Sequence, residues 1–315
     1  MQKISTITYH YVRPIKNSDF SNIKGLEYKL FKKQIKNLKL NFDIISYDDL
    51  KDIIINKREY KDKLCMLTFD DGYKDHLNYV LPELVKNNIK GFFFPSVIST
   101  KQSKVLDVNK IQFFISKEPD INILYKKMFN FIDEIQGIRK GHLINKILNL
   151  KKRFTKPSRM YHDKETVFFK YLLHSYLPKN ISENFVDLMF KRYVTNNDKK
   201  FSKELYMSKN DLKRLIQKGM YVGGHGSTHV RLNEISIENQ RKEINSTIKF
   251  LKSIKAPTHD WIMCYPYGVY NKFTKQILTK KNCIAGFTAE PGHSLIKSKG
   301  NFNLNRFDTN IFLNF

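Results

Sequence analysis

Apolar and polar positions along the first hundred residues fall into alternating strand and helix patterns. Ile4-Ser-Thr-Ile-Thr-Tyr-His10-Tyr-Val12 reads as a first strand, and Leu26, Leu30, Phe31, Ile35 and Leu38 then recur at helical spacing. Phe42-Asp-Ile-Ile45 predicts a short strand, 47–55 a helix, Leu64-Cys-Met-Leu-Thr-Phe69 a buried strand, and 75–88 a further helix. Ile89 to Pro95, with three consecutive Phe, predicts another strand. This alternation implies parallel strands with outer helices, an architecture whose chemistry sits at the C-terminal ends of the strands.

Between 101 and 205 the pattern changes to long helical stretches rich in Phe, Tyr, Leu and Lys, with no strand periodicity. It reads as a helical insertion between an α/β part spanning 1–100 and 206–315, either capping the site or standing as a solvated appendage. The alternation resumes with a helix from Ser208, whose side chain can serve as N-cap, a strand at 220–222 and a long helix at 236–254. A strand from Trp261 to Cys264, a helix at 271–281 and a strand from Cys283 to Thr288 complete the series.

Three segments carry candidate chemistry, each following a predicted strand. In Leu67-Thr-Phe-Asp70-Asp71-Gly72-Tyr73 an apolar strand ends in two adjacent carboxylates, one able to bind a metal while the other handles a proton, or else an Asp-Gly turn with a helix cap. In Gly223-Gly-His225-Gly-Ser-Thr-His229 two histidines stand at a common metal-ligand spacing, flanked by glycines that permit a tight turn. Their softness suits zinc, with cobalt or nickel as alternatives. Cys264-Tyr-Pro266-Tyr267-Gly268 is an ordinary turn or one whose backbone N–H stabilises an oxyanion. At one rim of a parallel barrel the three make one site, where two histidines and a carboxylate leave a position open for water. His76, His142, His162, His174 and His259 stand alone and read as structural.

Composition narrows the rest. Forty-one per cent hydrophobic residues with 24 Phe and 17 Tyr exclude a disordered chain. Three cysteines give no disulfide framework, and the N-terminal pattern shows neither leader nor anchor, so the cytoplasm is the expected compartment. The net charge of +26 is spread over nearly every predicted helix, with no zinc finger, RNP-like motif or dense basic arm. Nucleic acid is therefore not an expected partner; an anionic membrane surface or a lipid-linked substrate is the partner the charge allows.

With these motifs the chain resembles a polysaccharide deacetylase of the NodB-homology type, carbohydrate esterase family 4. The resemblance implies a distorted (β/α)7 barrel with a helical insertion, acting with a divalent metal on an N-acetylated amino sugar or surface-polysaccharide precursor. It implies Asp70 as general base, Asp71, His225 and His229 as metal ligands, and Pro266 and Tyr267 along the acetate side of the groove, with the Tyr267 N–H meeting the oxyanion. Three departures stand out. Gly226 follows the first metal histidine where the family often has Ser or Thr, so the supporting hydrogen bond is expected from Ser227 or Thr228. Cys264 stands where many members carry the Arg that orients the base, and Arg306, on a late strand and also a candidate along the substrate groove, could substitute. No Leu-x-His near the C-terminus supplies the usual general acid; His10 is expected in that role, with His293 as alternative. Tyr9-His10 resembles an element of the branch acting on surface polysaccharides. Deformylation, O-deacetylation, and glycan binding by a degenerate domain are the competing readings.

Overall fold

A computed structural model of the chain describes residues 2–60, 63–136, 141–155 and 163–309. Its strands, in chain order, are β1 (Gln2–Tyr9), β2 (Val12–Arg13), β3 (Leu26–Glu27), β4 (Asp43–Ile44), β5 (Leu64–Asp70) and β6 (Phe92–Phe94). They continue as β7 (Tyr221–Val222), β8 (Trp261–Cys264), β9 (Cys283–Phe287), β10 (Ser294–Ile296), β11 (Asn301–Leu304) and β12 (Phe307–Asp308). The chain divides into two compact units.

The first unit comprises Met1–Pro14, Gly25–Lys104 and Lys199–Phe315. Its main sheet has seven strands in the order β10-β1-β5-β6-β7, with β12 also on β1 and β4 also on β5. β5 lies parallel to β1, Ile4 opposite Leu64 and Tyr9 opposite Phe69, and parallel to β6, with Asp70 opposite Phe94. Every residue of β5 is buried, as expected of a parallel strand covered on both faces. Its two-residue period sends Cys65, Leu67 and Phe69 against the helix residues Phe31, Ile35 and Leu38. Leu64 and Met66 point the other way, into a second core with Phe92, Phe94, Ile262, Cys264 and Phe287. Thr68 and Asp70 continue that second face, so the period of the strand aims Asp70 at Cys264.

The strands do not close into a seven-stranded barrel. Among the described residues β8, β9 and β11 form a separate parallel sheet, joined to the first only by a single bridge between Gly224 and Met263. β7 is two residues long, and β10 runs antiparallel to β1, so neither end of the seven-stranded sheet meets the three-stranded one in a continuous ladder. The protein is a mixed α/β fold whose described residues form a seven-stranded sheet, a three-stranded sheet and a separate parallel pair of β2 and β3.

Local signals place most helices where the hydrophobic periods put them. Ser208 caps Lys209–Gln217 in a reciprocal box with Asp211, and Ser236 caps Ile237–Ser253. The helix expected over 75–88 instead begins with a π-turn, His76–Val80, before an α-helix from Leu81 to Lys86. Pro82 has no N–H to give, and the wider turn, in which the Leu81 N–H reaches the His76 carbonyl, absorbs that gap. The second unit, Ile15–Lys24 with Val105–Asp198, is helical around its own core of Phe114, Leu124, Met128, Ile132, Phe169 and Phe185. The segment 15–24 joins it although sequence periodicity gives no sign of this. No helix among the described residues is long and apolar enough to cross a membrane.

Candidate metal centre and active site

The carboxylates emerge where β5 ends. Asp71 takes a left-handed backbone, φ 67°, followed by Gly72 at φ 73°, and a Cβ on Gly72 would lie 2.8 Å from the Pro95 Cβ. Only glycine fits there, and the turn it allows separates two adjacent side chains into two roles.

Asp70 lies inside the sheet. Arg306 grips it with both terminal nitrogens, Nη1 to Oδ1 at 2.9 Å and Nη2 to Oδ2 at 2.8 Å, a fork on a carboxylate. The same guanidinium donates from Nε to the Thr288 carbonyl at 2.8 Å and from Nη1 to the Thr68 hydroxyl at 3.2 Å. Burial would raise the Asp70 carboxyl, but the Arg306 charge, with His225 and His10 behind it, overrides burial and holds it at about 2. Arg306, expected either to orient the base or to line the substrate groove, is 4 % exposed with its guanidinium bonded to Asp70, Thr68 and Thr288.

Asp71 faces the histidines. Its Oδ1 lies 3.3 Å from His225 Nε2 and 3.2 Å from His229 Nε2. Three ligands at 2.0–2.1 Å from a tetrahedral zinc ion stand about 3.3–3.4 Å apart, so the spacing of these donors fits one divalent cation. The Cys264 carbonyl accepts a hydrogen bond from His225 Nδ1 at 2.8 Å, which leaves Nε2 turned toward Asp71 and able to take a cation. Asp70, His225 and Cys264 also lie within ligand reach of one another. That set fits a cation less well, because Arg306 occupies both Asp70 oxygens and burial pushes the Cys264 thiol up, away from the thiolate.

The His225–His229 loop is built on a residue that sequence reasoning missed. Glu243, on the helix Ile237–Ser253, accepts the backbone N–H of Ser227 at 2.8 Å and of Thr228 at 2.9 Å, and the Thr228 hydroxyl at 2.7 Å. Of the two residues expected to give support, Thr228 gives this carboxylate its hydroxyl and its N–H, while Ser227 gives only its N–H and bonds Ser246 with its hydroxyl. Its signal lay in the helix period: Gln240, Glu243, Ile244, Thr247 and Leu251 share the buried face, and a carboxylate among them needs donors. Gly224 lets the loop start close against the sheet, since a Cβ there would meet the Trp261 ring at 2.7 Å.

Tyr267, Pro266 and His10 lie beside these groups. Tyr267 sits in the Pro266–Gly268 turn at φ 57°, its ring 5.0 Å from that of His229 and capped by the Arg231 guanidinium at 4.3 Å. Pro266 is buried beside Gly226, where an added Cβ would lie 3.2 Å from its Cγ. His10, 44 % exposed, places Nε2 3.9 Å from Asp70 Oδ2. Its carbonyl accepts a hydrogen bond from His76 Nε2 at 2.7 Å, and burial lowers the His76 imidazole to about 4, so His76 serves as a neutral strut. His293 is elsewhere: its Nδ1 bonds the Ser5 hydroxyl at 2.9 Å, and Ser5 pairs with Cys65, five residues before Asp70 on β5. At 3.3 Å per residue that is roughly 16 Å along the strand from the site. His162 lies outside the described residues.

The sequence profile described as Polysaccharide deacetylase matches residues 57–111 and 179–284, half of the chain. No curated protein matches the sequence. Among solved structures, the fold is similar to a Streptococcus pyogenes deacetylase, PplD, in complex with acetate, with a TM-score of 0.60 and 17% identity over 98% of this chain and 92% of that one. It is also similar to IcaB from Ammonifex degensii, at 0.53 and 14% over 98% and 91% of the two chains. A third is a de-N-acetylase from Aggregatibacter actinomycetemcomitans, at 0.54 and 13% over 97% and 94%.

Proposed function

The chain belongs to the polysaccharide deacetylase family, and from that premise we propose that it hydrolyses the acetyl amide of an N-acetylated amino sugar in a surface-polysaccharide precursor. The observation that carries this reading is an Asp70 held by both terminal nitrogens of Arg306 and followed directly by Asp71, whose Oδ1 lies 3.3 Å and 3.2 Å from the His225 and His229 Nε2 atoms. A divalent cation held by those three side chains, zinc by their softness, would supply the Lewis acid that polarises the acyl carbonyl and acidifies the attacking water.

The chain's own groups do the rest. Asp70 accepts a proton from water as its oxygen bonds to the acyl carbon, and its low basicity lets it give that proton up again. The Tyr267 backbone N–H, in the turn beside His229, stabilises the negative oxygen that develops. His10 protonates the sugar nitrogen as the C–N bond breaks, leaving acetate and a free amine. The grip of Arg306 on Asp70 also weighs against a degenerate binding domain, because it supplies the charged two-point contact that the Cys264 thiol, a weak donor 3.4 Å from Asp70 Oδ1, does not.

The test is acetate release from N-acetylglucosamine oligomers by zinc-loaded protein, with N-formylated and O-acetylated sugars alongside. Release from the N-acetylated substrate above the others supports the reading; binding of oligomers with no release from any sugar would leave the glycan-binding domain. His10→Ala is expected to slow the amide by about 10²-fold, the low end for a general acid, because a half-exposed site admits water in its place. An activated acetyl ester should be nearly unaffected, and His293→Ala should behave as wild type. Equal loss on amide and ester would remove His10 from the acid role.

A further inference from the structure

Asp71 has two carboxylate oxygens, and the fold uses them differently. Oδ1 faces His225 and His229, while Oδ2 accepts a hydrogen bond from the Tyr73 hydroxyl at 2.6 Å. Tyr73 is 1 % exposed, with its ring stacked on Tyr11 at 4.3 Å and on Tyr206 at 6.1 Å. Its backbone forms an antiparallel bridge to Tyr206, and the Ser99 hydroxyl donates to the Asp71 carbonyl at 3.2 Å. Both ends of the contact are therefore fixed, the phenol by its aromatic stack and the aspartate by its backbone.

We propose that Tyr73 is the positioning residue that makes Asp71 a one-oxygen metal ligand, its hydroxyl holding Oδ2 aside and aiming Oδ1 at the point shared with the two histidines. This rests on the metal-site reading above. A carboxylate without such a partner can rotate about its Cβ–Cγ bond and offer both oxygens to a cation. The second oxygen would then take the position that a catalytic site keeps open for water and substrate. Partners of this kind set the orientation of a ligand as well as its strength, and losing one typically costs about 10–100-fold in metal affinity.

The experiment measures the Zn2+ dissociation constant by competition with a chromophoric chelator, and the visible absorption of the Co2+-loaded protein, for wild type, His225→Ala, Tyr73→Phe and Tyr206→Phe. Tyr73→Phe deletes one oxygen and keeps the stacked ring. It is expected to bind Zn2+ about 10–100-fold more weakly than wild type and to lose intensity in its Co2+ bands as the coordination number rises. Its melting temperature without metal should match wild type. Tyr206→Phe, which loses a hydroxyl from the same stack, should keep wild-type affinity and spectrum. Wild-type affinity in Tyr73→Phe overturns the proposal, as does an equal loss in Tyr206→Phe or a collapse of the metal-free fold in Tyr73→Phe, since either would make the hydroxyl a packing element. Failure of the metal site itself appears separately, as wild type and His225→Ala binding alike.

Discussion

Asp70→Asn is expected to lower turnover on an N-acetylated sugar by about 10²–10⁴-fold while the protein keeps its full complement of metal. The side chain keeps its size, and its amide oxygen can still take one bond from Arg306, but the group no longer accepts a proton. The three donors that fit a cation, on Asp71, His225 and His229, are untouched. Metal content by elemental analysis and turnover by acetate release, on protein shown folded at the assay temperature, separate the two functions. If metal falls in step with turnover, Asp70 is a ligand, and the alternative cluster with His225 and Cys264 is the true one. If turnover survives, Asp70 is not the base.

Arg306→Met is expected to destabilise the fold by about 3–5 kcal/mol, more than most single substitutions. The Arg306 and Asp70 side chains are 3 % and 2 % exposed, so removing the cation leaves a buried carboxylate whose remaining polar neighbours include the weak Cys264 thiol donor at 3.4 Å, the Thr8 hydroxyl at 3.5 Å and the His10 ring at 3.9 Å. The methionine fills much of the same volume, and the cost is therefore electrostatic rather than a cavity. The double variant Asp70→Leu with Arg306→Met checks this, because replacing both members of a buried pair by apolar groups is close to neutral. Chemical denaturation of the four proteins gives the coupling. A single Arg306→Met that loses less than about 1 kcal/mol would mean that Asp70 is not ionised when Arg306 is absent, or that water reaches it.

The same pair marks where the sequence stops being sufficient. Asp70 is legible locally: an apolar strand with a two-residue period runs into a double carboxylate and a glycine, and backbone geometry alone throws the two side chains apart. His225 and His229 are legible for the same reason, as a fixed spacing in a glycine-flanked turn. The caps at Ser208 and Ser236 follow from a side chain satisfying N–H groups three residues on, so they too are short-range. Arg306 lies 236 positions from Asp70, and it enters the sequence reading only as a substitute for the Arg that Cys264 replaces, not through anything in its own neighbourhood. It reaches Asp70 only because β12 takes the upper edge of β1 and brings the chain back to the C-terminal end of β5.

Glu243 and Tyr73 were visible as residues but not as partners. What gives each its role is an unsatisfied donor or acceptor on another element: two loop N–H groups for one, a carboxylate oxygen for the other. The different surroundings of His10 and His293 arise the same way, one ring lying 3.9 Å from Asp70 and the other bonded to Ser5. The open sheets likewise depend on strand pairing at long sequence separation, where a two-residue β7 and an antiparallel β10 interrupt the closure that alternating strands and helices suggest. Periodicity and spacing fix what one stretch of backbone can do with its own hydrogen bonds. Which buried polar group finds its partner depends on how the strands register, and only the folded chain settles that.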